Sequence, residues 1–243
     1  MRNNQRKKAK EVANRLGIPA EFVEASLQVR QATTMRDKLE AFNKERRLIE
    51  QGGPAAVERQ HNQGRLTARE RISRLLDANS FEELDLWHRP YETGFDIGEG
   101  TGQGDGVVVG YGTVDGRPVS IWAQDATVMS GTVGTVHARK VTMIMENALH
   151  ARTPLIGIFD SPGLRAHDAI QYPDYYSFSS MVYFQTLASG VIPKISLVMG
   201  PCTDELAIIA NLGDFVFMTR NTSYMHLMPP PRGTDSRRLG DAW

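Results

Sequence analysis

From Gly104 onward the chain alternates short apolar runs with helix-patterned ones, and that alternation limits the fold more than any other feature. Apolar strands at 107–114 and 119–124 flank an Asp115-Gly116 turn, the signature of a tight antiparallel hairpin. A helix over 133–151 follows, with Val136, Val141, Ile144, Met145 and Leu149 as its apolar face. Then come a buried strand at 155–159, an aromatic-rich helix at 175–188 and a strand at 195–199. A short helix at 205–211 and a strand at 215–218 complete the series. Strands separated by helices predict βαβ units around a parallel or mixed sheet, so the expected class is α/β.

The first 52 residues read differently. Helical spacing is broken at Gly17-Ile18-Pro19, and Leu39, Phe42, Leu48 and Ile49 recur in a highly charged segment that stops at Gly52-Gly53-Pro54. This predicts a helical arm over 1–52, solvated or docked on a partner. Thr67 and Glu70 then form a capping box, and Leu66, Ile72, Leu75 and Leu76 make an apolar face behind it. Arg65, Arg69, Arg71 and Arg74 suit a solvated, ion-paired helix face better than a phosphate site. The last stretch, 229–243, lacks an apolar period and reads as an extended or disordered tail. Residues 53–228 are left as the folded domain.

Composition removes several function classes. Lys plus Arg number 28 and Asp plus Glu number 28, so net charge is zero and nucleic acid is not an expected partner. The single cysteine, Cys202, excludes an internal disulfide and a cysteine-built metal centre, and fits a cytoplasmic location. No apolar run approaches the roughly 18 residues of a membrane span, and no apolar signal region follows the basic start. Neither a membrane partner nor a bound metal is expected.

Four segments carry a family likeness in fixed order: residues 60–85 (QHNQGRLTARERISRLLDANSFEELD), 124–140 (QDATVMSGTVGTVHARK), 160–165 (DSPGLR) and 189–202 (SGVIPKISLVMGPC). Together they resemble the carboxyltransferase (beta) subunits of acyl-CoA carboxylases, of the propionyl-CoA carboxylase beta type, over the N-terminal half of such chains. The resemblance implies a crotonase-like superhelix of stacked βαβ units with an N-terminal helical arm. It implies an acyl-CoA substrate lying across the strand ends, with backbone N–H groups holding the thioester oxygen as an enolate forms. Fixed N–H donors stabilise such a charge without reorganising. A carboxyl group would move between carboxybiotin and the acyl alpha carbon. Biotin would arrive on a partner carrier protein. Such subunits have two crotonase-like halves, so the expected partners are a second-half carboxyltransferase chain and a biotin carboxylase or biotin carrier subunit, in a homo- or hetero-oligomer. Two other readings stay open: a biotin-independent decarboxylase or hydrolase, and a non-catalytic half that pairs with an active carboxyltransferase.

The resemblance assigns the site residue by residue. In the first loop, Ser130, Gly131 and Thr132 lie at a helix start, where N–H groups favour anions. Ser130 stands where the family has glycine. Lys140, one turn beyond His137, matches a position that is often basic and is expected to meet a CoA phosphate. In the second loop Asp160-Ser161-Pro162-Gly163-Leu164-Arg165 replaces Asp-Ser-Gly-Gly-Ala-Arg. Proline has no N–H to give, so Gly163 and Leu164 are the expected catalytic donors and Arg165 a substrate contact. His167 and Asp168 are ionisable additions beside the loop, candidates for acid/base work. In the third loop Asp204 and Glu205 replace two glycines. Helix capping is their leading explanation, since acids offset the dipole at a helix start.

Overall fold

The computed structural model describes residues 13, 20, 21, 23, 24, 34–90, 102–166, 168 and 178–227. His167, the 229–243 tail and the first residues of the 175–188 helix lie outside that set. Helix α1 (Met35–Gln51) opens on a capping box between Thr34 and Asp37 and stops at Gly52, whose φ is 68°. Its buried residues are Ala41, Glu45 and Ile49, whereas Leu39 and Phe42 are exposed. Only part of the expected apolar face therefore turns inward. Phe42 packs against Trp87 instead, with the rings tilted and their centroids 4.3 Å apart.

Helix α2 (Pro54–Asn62) starts on a proline, which suits a position whose N–H has no intrahelical acceptor. Helix α3 (Ala68–Leu75) has the expected capping box. Thr67 N–H donates to Glu70 Oε2 at 2.8 Å, and Glu70 N–H to Thr67 Oγ1 at 3.3 Å.

The sheet begins with β1 (Glu82–Leu84), β2 (Val107–Val114) and β3 (Arg117–Gln124), paired antiparallel. Asp115 and Gly116 both have positive φ, 50° and 74°, as the tight primed turn requires. The Asp77 carboxylate accepts from both their N–H groups. Helix α4 (Thr135–Ala151) crosses to β4 (Leu155–Ser161), and helix α5 (Phe178–Ala188) leads to β5 (Lys194–Thr203). After β5 come α6 (Glu205–Asn211), β6 (Phe215–Met218) and β7 (Tyr224–His226). The strand order is β1-β2-β3-β4-β5-β6, with β7 pairing the far end of β5. All pairs from β3 onward are parallel, so the sheet is mixed and the fold class is α/β, as the alternation of strands and helices predicts.

Side chains alternate across the sheet as a strand period of two demands. Val107, Val109, Trp122 and Phe159 face α4 and α5 in one core. Val108, Ile121, Ala123, Ile156 and Ile158 face α3 in the other. Strand β4 is buried along its whole length, so it is apolar without alternation until Asp160. Two cores clamp the middle of the sheet, and the loops leaving the carboxyl ends of β3, β4 and β5 meet on one side.

Candidate functional site

The loop after β3 passes through consecutive left-handed residues, Met129 (φ 48°), Ser130 (φ 56°) and Gly131 (φ 70°), before it enters α4. Position 131 has no room for a side chain, because a Cβ there would stand 2.6 Å from the Asp160 carbonyl oxygen. Further on, Val133 pairs with Leu164 in a parallel bridge. Val133 N–H donates to Gly163 O at 3.0 Å, and Arg165 N–H to Val133 O at 2.8 Å. The first and second loops are thus stitched into one seam at the strand ends.

The seam decides which N–H groups are available. Gly131 N–H closes a turn onto Val128 O, and Thr132 N–H onto Met129 O. Gly163 N–H donates to Ser161 Oγ at 3.2 Å. The expectation that Gly131 and Gly163 present their N–H groups to a ligand is therefore corrected: local turns use both. Leu164 N–H is different. It sits between the two bonds of the bridge and has no acceptor among the described residues. Ser130 is exposed at the tip of the first loop.

Arg165 is not a surface contact for substrate. Its guanidinium is buried and bound to Asp105 Oδ1 at 2.6 Å, Asp168 Oδ2 at 3.4 Å and the Thr132 carbonyl at 2.9 Å. Its Nε reaches Thr132 Oγ1 at 3.3 Å. Thr132 is thereby held by Arg165 rather than left open to a ligand. Asp168, expected as an acid/base candidate, is enclosed beside Arg165 and accepts from Thr135 N–H at 3.0 Å. Asp105 accepts from His137 N–H at 2.7 Å. Two carboxylates of the protein itself thus occupy the start of α4, where the sequence pointed to an external anion. Gly134 leaves room for them: a Cβ there would come within 2.3 Å of both Arg165 Nη1 and Asp168 Oδ2.

Lys140 is corrected on the same ground. It is fully buried, and its Nζ donates to Gly104 O at 3.0 Å and Val107 O at 2.7 Å. It cannot meet a phosphate at the surface. Burial pulls its pKa down to about 8, with Glu83 opposing the shift. His137 is also buried and not a surface residue. Burial first, then the Arg165 and Lys140 charges, keeps it well below the usual histidine range and so neutral. Burial raises the Asp105 pKa, and Arg165 opposes that shift.

Asp160, the last buried residue but one of β4, is held from α3 and the residues just before it. Arg71 donates to Asp160 Oδ2 at 2.6 Å and Arg65 to Oδ1 at 3.1 Å. Arg69 pairs with Glu83 at 2.6 Å and Asp125 at 3.6 Å. The ion pairing expected of these arginines is present, but Arg71 is buried rather than solvated. They anchor the helix beneath the seam.

In the third loop Asp204 adopts φ 57° and ψ −137° and makes no side-chain cap bond to α6, so capping does not account for it. Cys202 is fully buried and burial pushes its thiol up to about 12, which leaves no nucleophile there at neutral pH. Of the aromatic residues considered for an acyl wall, Tyr172, Tyr175 and Tyr176 fall outside the described residues. Phe178 and Phe184 pack on the core, and Tyr183 is exposed.

Sequence reasoning missed Asp105, the centre of the buried network. Its signal was present: an acid between Gly104 and Gly106, just before an apolar strand.

A carboxyl transferase domain model matches residues 59–234. The chain is 41% identical over 197 residues to the propionyl-CoA carboxylase beta chain of Cereibacter sphaeroides, covering 81% of this chain and 38% of that one. It is 40% identical over 199 residues to the methylmalonyl-CoA decarboxylase subunit alpha of Veillonella parvula, with the same coverage of each chain. The chain thus spans about 38% of the length of these curated relatives. Among solved structures, transcarboxylase 12S with hydrolysed methylmalonyl-coenzyme A bound superposes with TM-score 0.80 at 36% identity, over 86% of this chain and 42% of that one. The malonate decarboxylase MdcD-MdcE hetero-dimer from Pseudomonas gives 0.52 at 25% identity, over 66% of this chain and 65% of the matched one.

Proposed function

The chain belongs to the carboxyl transferase domain family, and from that premise we propose that it is the N-terminal half of a biotin-dependent acyl-CoA carboxyltransferase. The observation that carries this reading is the Val133–Leu164 seam, which leaves the Leu164 N–H without an acceptor among the described residues, at the carboxyl ends of parallel strands. Ligands of open α/β sheets bind outside those ends. A thioester oxygen placed on Leu164 N–H would be stabilised as charge develops on it. The residues beneath hold the donor still: Arg165 ties Thr132 to Asp105, and Arg71 ties Asp160 to α3.

In this reading the folded unit is 53–228, the 1–52 arm takes no part in the chemistry and the protein is cytoplasmic. Biotin arrives on a partner carrier, and none of the described residues is assigned to it. A second-half chain completes the site, either as a further part of the same polypeptide or as a separate subunit. The malonate decarboxylase hetero-dimer, matched over 65% of one chain, shows how a related protein pairs two chains. A non-catalytic half is the second reading, favoured by the committed N–H groups of Gly131 and Gly163.

Carboxyl transfer from methylmalonyl-CoA to biotin, measured with the second-half partner present, separates the two. Leu164→Pro removes one N–H that no described residue accepts, and Leu164→Ala keeps it. The proline variant is expected to lose about a hundredfold or more in turnover, with the alanine variant close to wild type. Equal turnover in the two variants would contradict the placement of the oxyanion on Leu164.

A further inference from the structure

We propose that Asp204 is a catalytic base of this site, taking the α proton of a bound acyl-CoA as the enolate forms on the Leu164 N–H. The inference rests on the reading above, that the thioester oxygen of a CoA ester lies on that group.

Asp204 leaves β5 with φ 57° and ψ −137°, a backbone that residues with a side chain rarely adopt. The turn itself is built by main-chain groups: Asp204 N–H donates to His226 O at 3.1 Å, and Ala207 N–H donates to Asp204 O at 3.1 Å. Glycine would supply the same turn without strain. The aspartate therefore adds only its side chain, and that side chain neither caps α6 nor forms a hydrogen bond or ion pair among the described residues.

The carboxylate is aimed at the oxyanion donor. A Cβ built on Gly163 would stand 2.4 Å from Asp204 Oδ2, so the carboxylate fills the space that a side chain at 163 would need. Gly163 Cα and Leu164 N belong to one peptide unit, so base and donor stand beside the same few atoms. Thr203 Oγ1, also next to Gly163, donates to the Pro162 carbonyl at 2.7 Å and leaves the carboxylate to a ligand. Asp204 is half-buried, so part of it stays open on the side of the site.

The α carbon of a thioester is bonded to the carbon that carries its oxygen. With that oxygen on Leu164 N–H, a base beside Gly163 is placed to reach the α hydrogens. The α C–H bond breaks, and its proton goes to Asp204 Oδ2. Its electron pair forms the C=C bond of the enolate and displaces charge onto the thioester oxygen, where the N–H stabilises it. Asp204 loses its charge as the oxygen gains one, so the site carries a single negative charge throughout. A carboxyl group that then joins the α carbon takes over that charge and meets a neutral Asp204. The proton finally passes to the carrier that gave up the carboxyl group. In the reverse direction Asp204 returns the proton to the α carbon once the carboxyl group has left.

The test follows the α hydrogens directly and needs no biotin. The full chain is incubated with propionyl-CoA in deuterium oxide, and deuterium at the α carbon is read by mass spectrometry. Wild type is expected to exchange these hydrogens about a hundredfold or more faster than buffer, the size of general base catalysis. Asp204→Asn keeps the shape and removes the basic oxygen; Asp204→Gly also removes the strain. Both are expected to lose that acceleration while still binding propionyl-CoA in a calorimetric titration. Wild type that binds the ester without exchanging it, or variants that exchange as fast as wild type, would overturn the inference and leave the seam as the binding site. Variants that lose binding together with exchange would also overturn it, by making Asp204 a binding group. Failure of propionyl-CoA to bind wild type and both variants would overturn the seam reading along with it.

Discussion

Arg165 and Asp105 stand 60 residues apart in sequence and 2.6 Å apart in the fold, both buried. That pair joins the loop after β4 to the turn before β2, and α4 starts between them. A charge pair so enclosed is sensitive to the loss of one partner, because the other is left uncompensated.

Arg165→Ala is therefore expected to destabilise the chain by about 3–5 kcal/mol. Arg165→Lys should recover little, since a point ammonium cannot serve Asp105, Asp168 and the Thr132 carbonyl from one plane. Chemical denaturation of the three proteins checks this. A lysine variant as stable as wild type would show that charge alone, not the planar fork, holds the loops.

Lys140 gives a pH signature. Its pKa falls from 10.5 to about 8 on folding. Between those values the unfolded chain holds more protons than the folded one, so this residue makes stability rise with pH across that window. Below it, both states are charged and the burial cost is present in full. The stability of wild type relative to Lys140→Met is expected to grow by an amount of order 3 kcal/mol from pH 8 to 10.5. A flat difference across that range would mean the amine is solvated in the native state.

Asp204 gives a strain signature separate from its charge. Backbone strain of about 1–3 kcal/mol is relieved in Asp204→Gly, and the added freedom of the unfolded chain returns part of it. A net gain of about 1 kcal/mol is expected by denaturation, with no such gain in Asp204→Asn. A glycine variant less stable than wild type would contradict the strain.

Sequence patterning exposed the scaffold well. The hairpin turn at Asp115-Gly116, the capping box at Thr67, helix α4 and the parallel strands all follow from period and turn chemistry, which are local. The strand entry that closes the 60–85 stretch is β1, but β7 did not emerge, because it is three residues long and gains its pairing from a neighbour distant in sequence. The site was legible only as a location. Lys140 and Arg165 looked like surface cations because their acceptors, Gly104, Val107 and Asp105, lie 33 to 60 residues away. Likewise, no local pattern distinguishes the spent N–H of Gly163 from the unspent one of Leu164. The bridge to Val133 makes that distinction, and it is a tertiary contact.

Amide hydrogen exchange of the full chain, with and without propionyl-CoA, tests the central claim most directly. Leu164 N–H has no acceptor among the described residues and should exchange fast in the free chain. Bound ester is predicted to slow it strongly, with smaller effects in the loop at 128–134. Binding that slows amides elsewhere and leaves Leu164 exchanging as fast as before would contradict the account.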